Sequence, residues 1–340
     1  MKYVPGYDGV RAIAIISVVV SHLFPNSLPG GWAGVDVFFV LSGFLITTIL
    51  LDEIKTTSGI DIKSFYIKRM LRLLPAFAVM LIVMTAFLLI TKSGRELYRF
   101  LGSVVISAAY LMNINRAFNL FEQGYLGHTW SLAMEEQFYL IWPAFLLWTF
   151  KRKPVAWIGG LICLVTALRV YLTIRGADVE RVYNGFDTHS DGLLIGSLLV
   201  FFPNAMRMRE LASCFVLIPL ALLTGLLALA EQRTFFAPVF GWALSALSAA
   251  WMIYAIPKNR MLRALLSLKP LVYVGKVSYA WYLWHFPVLV LSSQFLPRSQ
   301  AILLTLASFG IAALSHEFVE KPFLSLKARF KRRPGREAPV

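Results

Sequence analysis

The chain has 340 residues, of which 58% are hydrophobic and only 15% are charged. A soluble domain usually carries about 25% charged residues, and the apolar residues here form runs close to the length of a bilayer span, such as 77–90 and 214–230. This composition excludes an ordinary soluble domain and indicates an integral membrane protein that crosses the bilayer several times.

Hydropathy predicts ten apolar helices in chain order. They lie at roughly 10–24, 34–51, 73–91, 132–150, 155–174, 191–203, 211–230, 237–256, 271–292 and 300–320. The predicted fold class is all-α: a polytopic membrane bundle of about ten transmembrane helices with both termini in the cytoplasm. We expect one transmembrane domain over 1–325 and a basic cytoplasmic tail over 326–340, because no other segment is long enough for a second domain.

The formal net charge of +15 would also suit a nucleic-acid-binding protein, so its distribution matters. With the N-terminus inside, 22 of the 33 Lys and Arg fall in cytoplasmic segments, eight in outer segments and three within spans. This asymmetry follows the positive-inside rule. The charge therefore indicates topology, and we expect the tail to contact anionic membrane lipids. Nucleic acid is not an expected partner.

The first predicted span is unusual because it contains Arg11 and His22 and closely follows Asp8. Ionisable residues inside a span are costly and need a reason. Arg11 and His22 lie three helical turns and about 16 Å apart on one face of a helix, and Asp8 can pair with Arg11 at a spacing of three residues. Two interpretations are open: a functional groove that both residues face, or a salt bridge plus an interfacial histidine.

The third predicted span begins with a cluster of cations, Lys68, Arg69 and Arg72. Cations at a helix start oppose the helix macrodipole, so their presence favours an anionic ligand such as phosphate, which arginine binds bidentately. The alternative is that these charges only set the topology of the span.

The fourth predicted span carries two adjacent carboxylates, Glu135 and Glu136, in its outer third. Successive helical side chains point about 100° apart, so only one of the two is expected to face the bundle interior. At the level of His22, that carboxylate would hold the imidazole in one tautomer and raise its basicity. The alternative is an interfacial pair that faces lipid headgroups.

Further polar groups at the outer ends of spans are candidates for contacts with a polar substrate. Asp36 begins the second span, His189 and Asp191 begin the sixth, and His285 lies among the aromatic residues of the ninth; Trp130 precedes the glutamates. The histidines have no HxxxH or HExxH spacing, so we expect no metal site. Any chemistry then rests on histidine and carboxylate.

Five sequence blocks, spread over roughly residues 3–325, resemble the membrane-bound acyltransferase 3 family. In chain order they are YDGVRAIAIISVVVSH with its R-x10-H spacing, GVDVFFVLSGFLIT, Arg69-x-x-Arg72, TWSLAMEEQFYLIWP and SYAWYLWHFP. The resemblance implies about ten spanning helices in the bacterial cytoplasmic membrane. It also implies transfer of acyl groups, commonly acetyl from acetyl-CoA, to hydroxyls of extracytoplasmic glycans or glycolipids such as O-antigen or exopolysaccharide.

The resemblance also implies roles for the candidate residues. Arg69 and Arg72, assisted by Lys68, would hold the phosphates of the CoA donor at the cytoplasmic face, and the pantetheine arm would pass Arg11. His22 would act as the general base on the acceptor hydroxyl or, as the alternative, as a nucleophile that forms an acetyl-imidazole.

Glu135 or Glu136 would orient His22.

A transporter or flippase for a lipid-linked sugar is the rival class, because charges inside a ten-helix bundle would suit it. The sequence shows no inverted repeat, which many transporters have.

Overall fold

The computed structural model describes residues 3–202 and 214–327, and all regular secondary structure in these ranges is helical. The first half contains α1 (Pro5–Leu23), α2 (Ala33–Thr57), α3 (Ile62–Thr91), α4 (Gly94–Ala108), α5 (Met112–Phe118), a 3-10 turn (Gly124–Thr129), α6 (Trp130–Phe150) and α7 (Pro154–Ile174). The second half contains α8 (Val179–Asn184), α9 (Phe186–His189), α10 (Asp191–Leu199), α11 (Cys214–Leu229), α12 (Trp242–Ala255), α13 (Arg260–Leu266), α14 (Lys269–Phe295), α15 (Arg298–Ser315) and α16 (Lys321–Leu326).

The all-α prediction is confirmed, and every predicted span overlaps a helix. In the described residues, six helices are long and apolar enough to cross a membrane, or seven if α4 and α5, which meet at 119°, form one broken span. α10 has only nine residues, and α6 and α14 carry many polar and aromatic side chains. The count of ten spans and the side on which the termini lie remain predictions. The tail predicted over 326–340 lies, beyond Lys327, outside the described residues.

The first helix lies at the centre of the packing that positions the polar residues. α1 packs against α14 and α2, and α2 in turn packs against α10 and α12. Ile15 and Val19 of α1 form a buried cluster with Val277 and Ala280 of α14. Apolar burial gives little driving force between helices in lipid, so close van der Waals packing through small residues holds such contacts together.

Gly275 is the residue that allows α14 to approach α1 this closely. A Cβ atom added at Gly275 would fall on the backbone carbonyl of Asp8. The α1–α14 contact is therefore a backbone-to-backbone approach, and it fixes the height of His22 relative to α14.

We expect Gly275→Ala to destabilise the protein by about 1–3 kcal/mol, because overpacking forces the two helices apart. Gly159→Ala on α7 is the matched control. Its added methyl group meets no described atom within 4 Å, and alanine is the better helix former by about 1 kcal/mol. Thermal unfolding in detergent should show a lower Tm for the first variant and an equal or higher Tm for the second. Equal Tm values would contradict the close approach.

Candidate functional site

Two neighbouring cavities lie along the helix bundle. The larger, here called the basic cavity, has a volume of about 530 Å³, and the smaller, here called the histidine cavity, has about 220 Å³. Five cationic side chains line the basic cavity: Arg11, Lys68, Arg69, Arg72 and Lys327. The histidine cavity is lined by His22, His128, Arg116, Trp130 and aromatic neighbours.

α1 joins the two cavities. Arg11 lines the basic cavity and His22, eleven positions further along α1, lines the histidine cavity, so about 16 Å of helix covers the distance from one cavity to the other. Arg11 also forms the predicted ion pair with Asp8, at 3.0 Å between Nη1 and Oδ1.

Most of the cations of the basic cavity form no close ion pair, although Asp8, Glu53 and Glu135 also line it. Lys68, Arg69, Arg72 and Lys327 form no hydrogen bond or ion pair with any residue in the described ranges, and the guanidinium of Arg69 lies 4.6 Å from the ring centre of Tyr139. Half-buried cations without carboxylate partners attract an anion, and arginine suits phosphate in particular.

Lys327 belongs to this cluster although the sequence analysis assigned the tail to topology and lipid contact. It follows α16 and is half-buried at the cavity wall. Burial, reinforced by the positive charges of Arg72, Arg69 and Arg11, lowers the pKa of Lys327 to about 7. Only the three-dimensional return of the chain to α3 could reveal this residue.

The hydrogen bonds of His285 determine the tautomer of His22. Nδ1 of His285 lies 2.8 Å from the carbonyl oxygen of Tyr282 and 3.1 Å from that of Trp281. Carbonyl oxygens only accept, so this nitrogen carries the hydrogen and Nε2 of the neutral ring is an acceptor. Nδ1 of His22, 3.0 Å from that Nε2, therefore donates. The lone pair of His22 is left on Nε2, on an exposed ring that lines the histidine cavity.

The predicted pairing of His22 with Glu135 or Glu136 is wrong. Glu135 lines the basic cavity and accepts a hydrogen bond from Ser42 at 2.5 Å, and Glu136 lines neither cavity, with Oε1 buried and unpaired within the described chain. The cause is the axial position on α6: Trp130 is at the histidine cavity, and Glu135 lies about 7.5 Å further along the helix.

His285 is fully buried behind His22 and lines neither cavity. The structure thus gives it the orienting position that the sequence analysis expected of a glutamate, and not the direct substrate contact predicted for it. The aromatic block around His285 signalled a packed pocket, but sequence alone could not pair it with a residue 263 positions away.

Tyr282 separates the two cavities. Together with Val35 it lines both of them. Its hydroxyl donates to the backbone carbonyl of His128 at 2.6 Å, and the Ser131 hydroxyl, also 2.6 Å away, then donates to Tyr282. A molecule that extended from one cavity to the other would have to pass this side chain.

Comparison with known proteins fits this arrangement. Residues 4–316 match the model of the acyltransferase domain. The chain belongs to this acyltransferase family.

The resemblance drawn from the five sequence blocks is thereby confirmed. The chain is 33% identical over 348 residues to the O-acetyltransferase OatA of Staphylococcus aureus, an alignment that covers 94% of this chain and 57% of the relative. It is 35% identical over 355 residues to the peptidoglycan O-acetyltransferase OatA of Listeria monocytogenes, with 94% and 56% covered. The chain spans a little over half the length of these relatives. No solved structure matches it.

Besides His285, three of the residues predicted to bind substrate lie outside both cavities. Asp36, His189 and Asp191 are at most 2% exposed. Asp36 bonds His189 at 2.9 Å, and Asp191 pairs with the fully buried Arg169 at 2.7 Å. Asp36 follows Val35, which lines both cavities, and the 100° rotation between them turns Asp36 towards α9 and α10. Among the predicted substrate-binding residues, the structure places only Trp130 on a cavity wall.

The described residues contain no group of three or more His, Cys, Asp or Glu side chains that could hold a metal ion.

Arg116 and His128 are the polar residues of the histidine cavity that the sequence analysis passed over. Both lie in the segment 92–131, whose helices α4 and α5 are short and sharply bent.

The buried ion pair between Arg169 and Asp191 predicts that removing its cation lowers the stability of the fold. Arg169→Met leaves the Asp191 carboxylate buried without its cation, which should cost about 3–5 kcal/mol. Lys321→Met is the matched control, because it removes an exposed ion pair with Glu317, and such pairs contribute little. Thermal unfolding in detergent should show a large fall in Tm for the first variant only, and a similar Tm for both would refute the assignment.

Proposed function

We propose that the protein is a membrane O-acyltransferase that moves an acetyl or other short acyl group from acyl-CoA to a hydroxyl of an extracytoplasmic glycan. The observation that carries the proposal is the free Nε2 lone pair of His22, held by His285 in a cavity adjacent to four unpaired cations. Family membership and the O-acetyltransferase names of both relatives support it.

The donor binds in the basic cavity. Acetyl-CoA carries phosphates at one end and a thioester at the other, and Arg69, Arg72 and Lys327, assisted by Lys68, supply the positive charge for the phosphates. The pantetheine arm lies along α1 past Arg11 and moves Tyr282 aside, so that the thioester reaches the histidine cavity. Four half-buried cations without ion-pair partners in the described chain fit such an anion.

Transfer takes place at His22. Its Nε2 accepts the proton of the acceptor hydroxyl as the hydroxyl oxygen forms a bond to the thioester carbonyl carbon. The C–S bond then breaks, and the CoA sulfur leaves with the proton from His22. The Nδ1–H of His22 stays hydrogen-bonded to His285 throughout, and this bond strengthens while His22 carries positive charge. His285 is a positioning residue.

The two cavities would face opposite sides of the bacterial cytoplasmic membrane. The basic cavity is lined by the start of α1, and the histidine cavity by its end and by Pro25, Leu28 and Pro29 of the following loop. With the N-terminus inside, the donor end meets cytoplasmic acyl-CoA and the acceptor end meets the outer glycan. The name of the Listeria relative supports a cell-wall glycan as the acceptor.

The central test is acyl transfer in membranes with radiolabelled acetyl-CoA and extracted envelope glycans as acceptors. We expect His22→Ala to lower kcat by about 10²–10⁴, the usual contribution of a general base. His285→Leu should also lower kcat, because His22 loses its fixed tautomer. Arg69→Ala combined with Arg72→Ala should raise KM for acetyl-CoA and be rescued at high donor concentration.

Equal expression and unchanged Tm are the controls for these variants. Full activity in His22→Ala would refute the site. Absence of label with the wild type, for acetyl-CoA and for longer acyl-CoA donors, would refute the transferase and favour the transporter.

Lys327 should make donor binding depend on pH. An anionic donor binds the protonated amine, whose pKa in the free protein is about 7. Below that pH the charge is already present; above it the amine must take up a proton on binding, so Kd for CoA should rise by up to about tenfold per pH unit. Calorimetry between pH 7 and 9 should show this rise in the wild type and a flatter dependence in Lys327→Arg. Equal slopes would contradict the assignment.

A further inference from the structure

His128 is the buried polar side chain of the histidine cavity that its surroundings satisfy least. It is 2% exposed and lines the cavity, and neither of its ring nitrogens has a hydrogen-bond partner of good geometry within the described chain, where the Leu283 backbone makes only a weaker approach to the ring. Its backbone is fixed, because the carbonyl oxygen accepts the hydroxyl of Tyr282. The ring is fixed by packing, with centroids 5.0 Å from Phe286 and 5.8 Å from His285.

An unpaired buried imidazole is unusual. A neutral ring has one N–H donor and one acceptor nitrogen, and nearly all buried polar groups in proteins are bonded, with functional groups prominent among the exceptions. Two polar rings beside His128 follow the rule: His285 donates to two backbone carbonyls, and Tyr282 donates to the backbone carbonyl of His128 itself. The N–H of His128 therefore forms no well-aligned hydrogen bond within the described chain, and a carbonyl oxygen brought against the ring by a ligand would complete it.

His128 and His22 face the same small space. Both rings contact Phe286, at centroid distances of 5.0 Å and 5.2 Å, and both line the histidine cavity. In the proposed transfer, this space holds the thioester carbonyl. Attack on the carbonyl places negative charge on its oxygen, and that charge needs a hydrogen-bond donor. The accepting Nε2 of His22 cannot supply it.

We propose, on the basis of the proposed transferase function, that His128 is a second catalytic histidine whose ring N–H binds the thioester carbonyl oxygen. As the acceptor oxygen bonds to the carbonyl carbon, its proton passes to His22 and the carbonyl electron pair moves onto the oxygen beside His128. The C=O bond then re-forms, the C–S bond breaks, and the leaving sulfur takes the proton from His22. His128 donates a hydrogen bond throughout and transfers no proton.

The test measures acetyl transfer by His128→Phe and His128→Leu, which lack the donor and differ in size, and by His128→Gln, whose side-chain amide restores an N–H donor. Loss of one such donor lowers kcat by about 10²–10³. We expect that loss in His128→Phe and His128→Leu, with KM for acetyl-CoA unchanged. In His128→Gln, kcat should recover by about tenfold or more.

Two further readouts separate this role from a structural one. CoA binding to the basic cavity, measured by calorimetry, should be unchanged, which also establishes that each variant is folded. The pH profile of kcat should keep the wild-type shape at a lower level, because His128 exchanges no proton. Wild-type kcat in a CoA-binding Phe or Leu variant, or a change confined to KM, would overturn the proposal. An inactive wild type would instead overturn the transferase itself.

Discussion

The hydrogen bond between His22 and His285 is the contact on which the rest of the site depends. It crosses from α1 to α14, at 3.0 Å between two ring nitrogens, and its direction is fixed because His285 must donate to backbone carbonyls. The base nitrogen of His22 is therefore set by backbone atoms of α14, without any carboxylate. The close backbone approach at Gly275 keeps the two helices at the spacing that this bond requires.

The intramembrane polar residues fall into two groups that differ in pairing. Arg169, Asp191, Asp36 and His189 are buried and paired with one another, as expected for charges that stabilise a fold in an apolar surrounding. Four of the five cations of the basic cavity form no ion pair within the described chain, and the imidazole of His128 has no hydrogen-bond partner of good geometry there. Missing partners are costly inside a protein, so they mark the positions where a ligand would complete the structure. Burial and charge alone do not separate the two groups.

The sequence predicted the features that depend on one helix at a time. Helical periodicity placed Arg11 and His22 on one face, and the cluster of Lys68, Arg69 and Arg72, which is visible in the sequence, lines one cavity. The prediction failed where a contact depends on the relative position of two helices. The partner of His22 is on α14, and Glu135 lies one and a half turns too far along α6, a displacement that periodicity does not report. Lys327 and His128 were overlooked because a charged tail and a bent, partly apolar segment carry no signal of their own.

The central claim is that the two cavities are the ends of one reaction path along α1. The most direct measurement is a cryo-EM structure of the protein in lipid nanodiscs with a non-transferable thioether analogue of acetyl-CoA. The account predicts phosphates beside Arg69, Arg72 and Lys327, the acyl carbonyl beside His22 in the histidine cavity, and Tyr282 displaced from Ser131. An analogue bound outside the basic cavity, or one whose acyl end points away from His22, would contradict it.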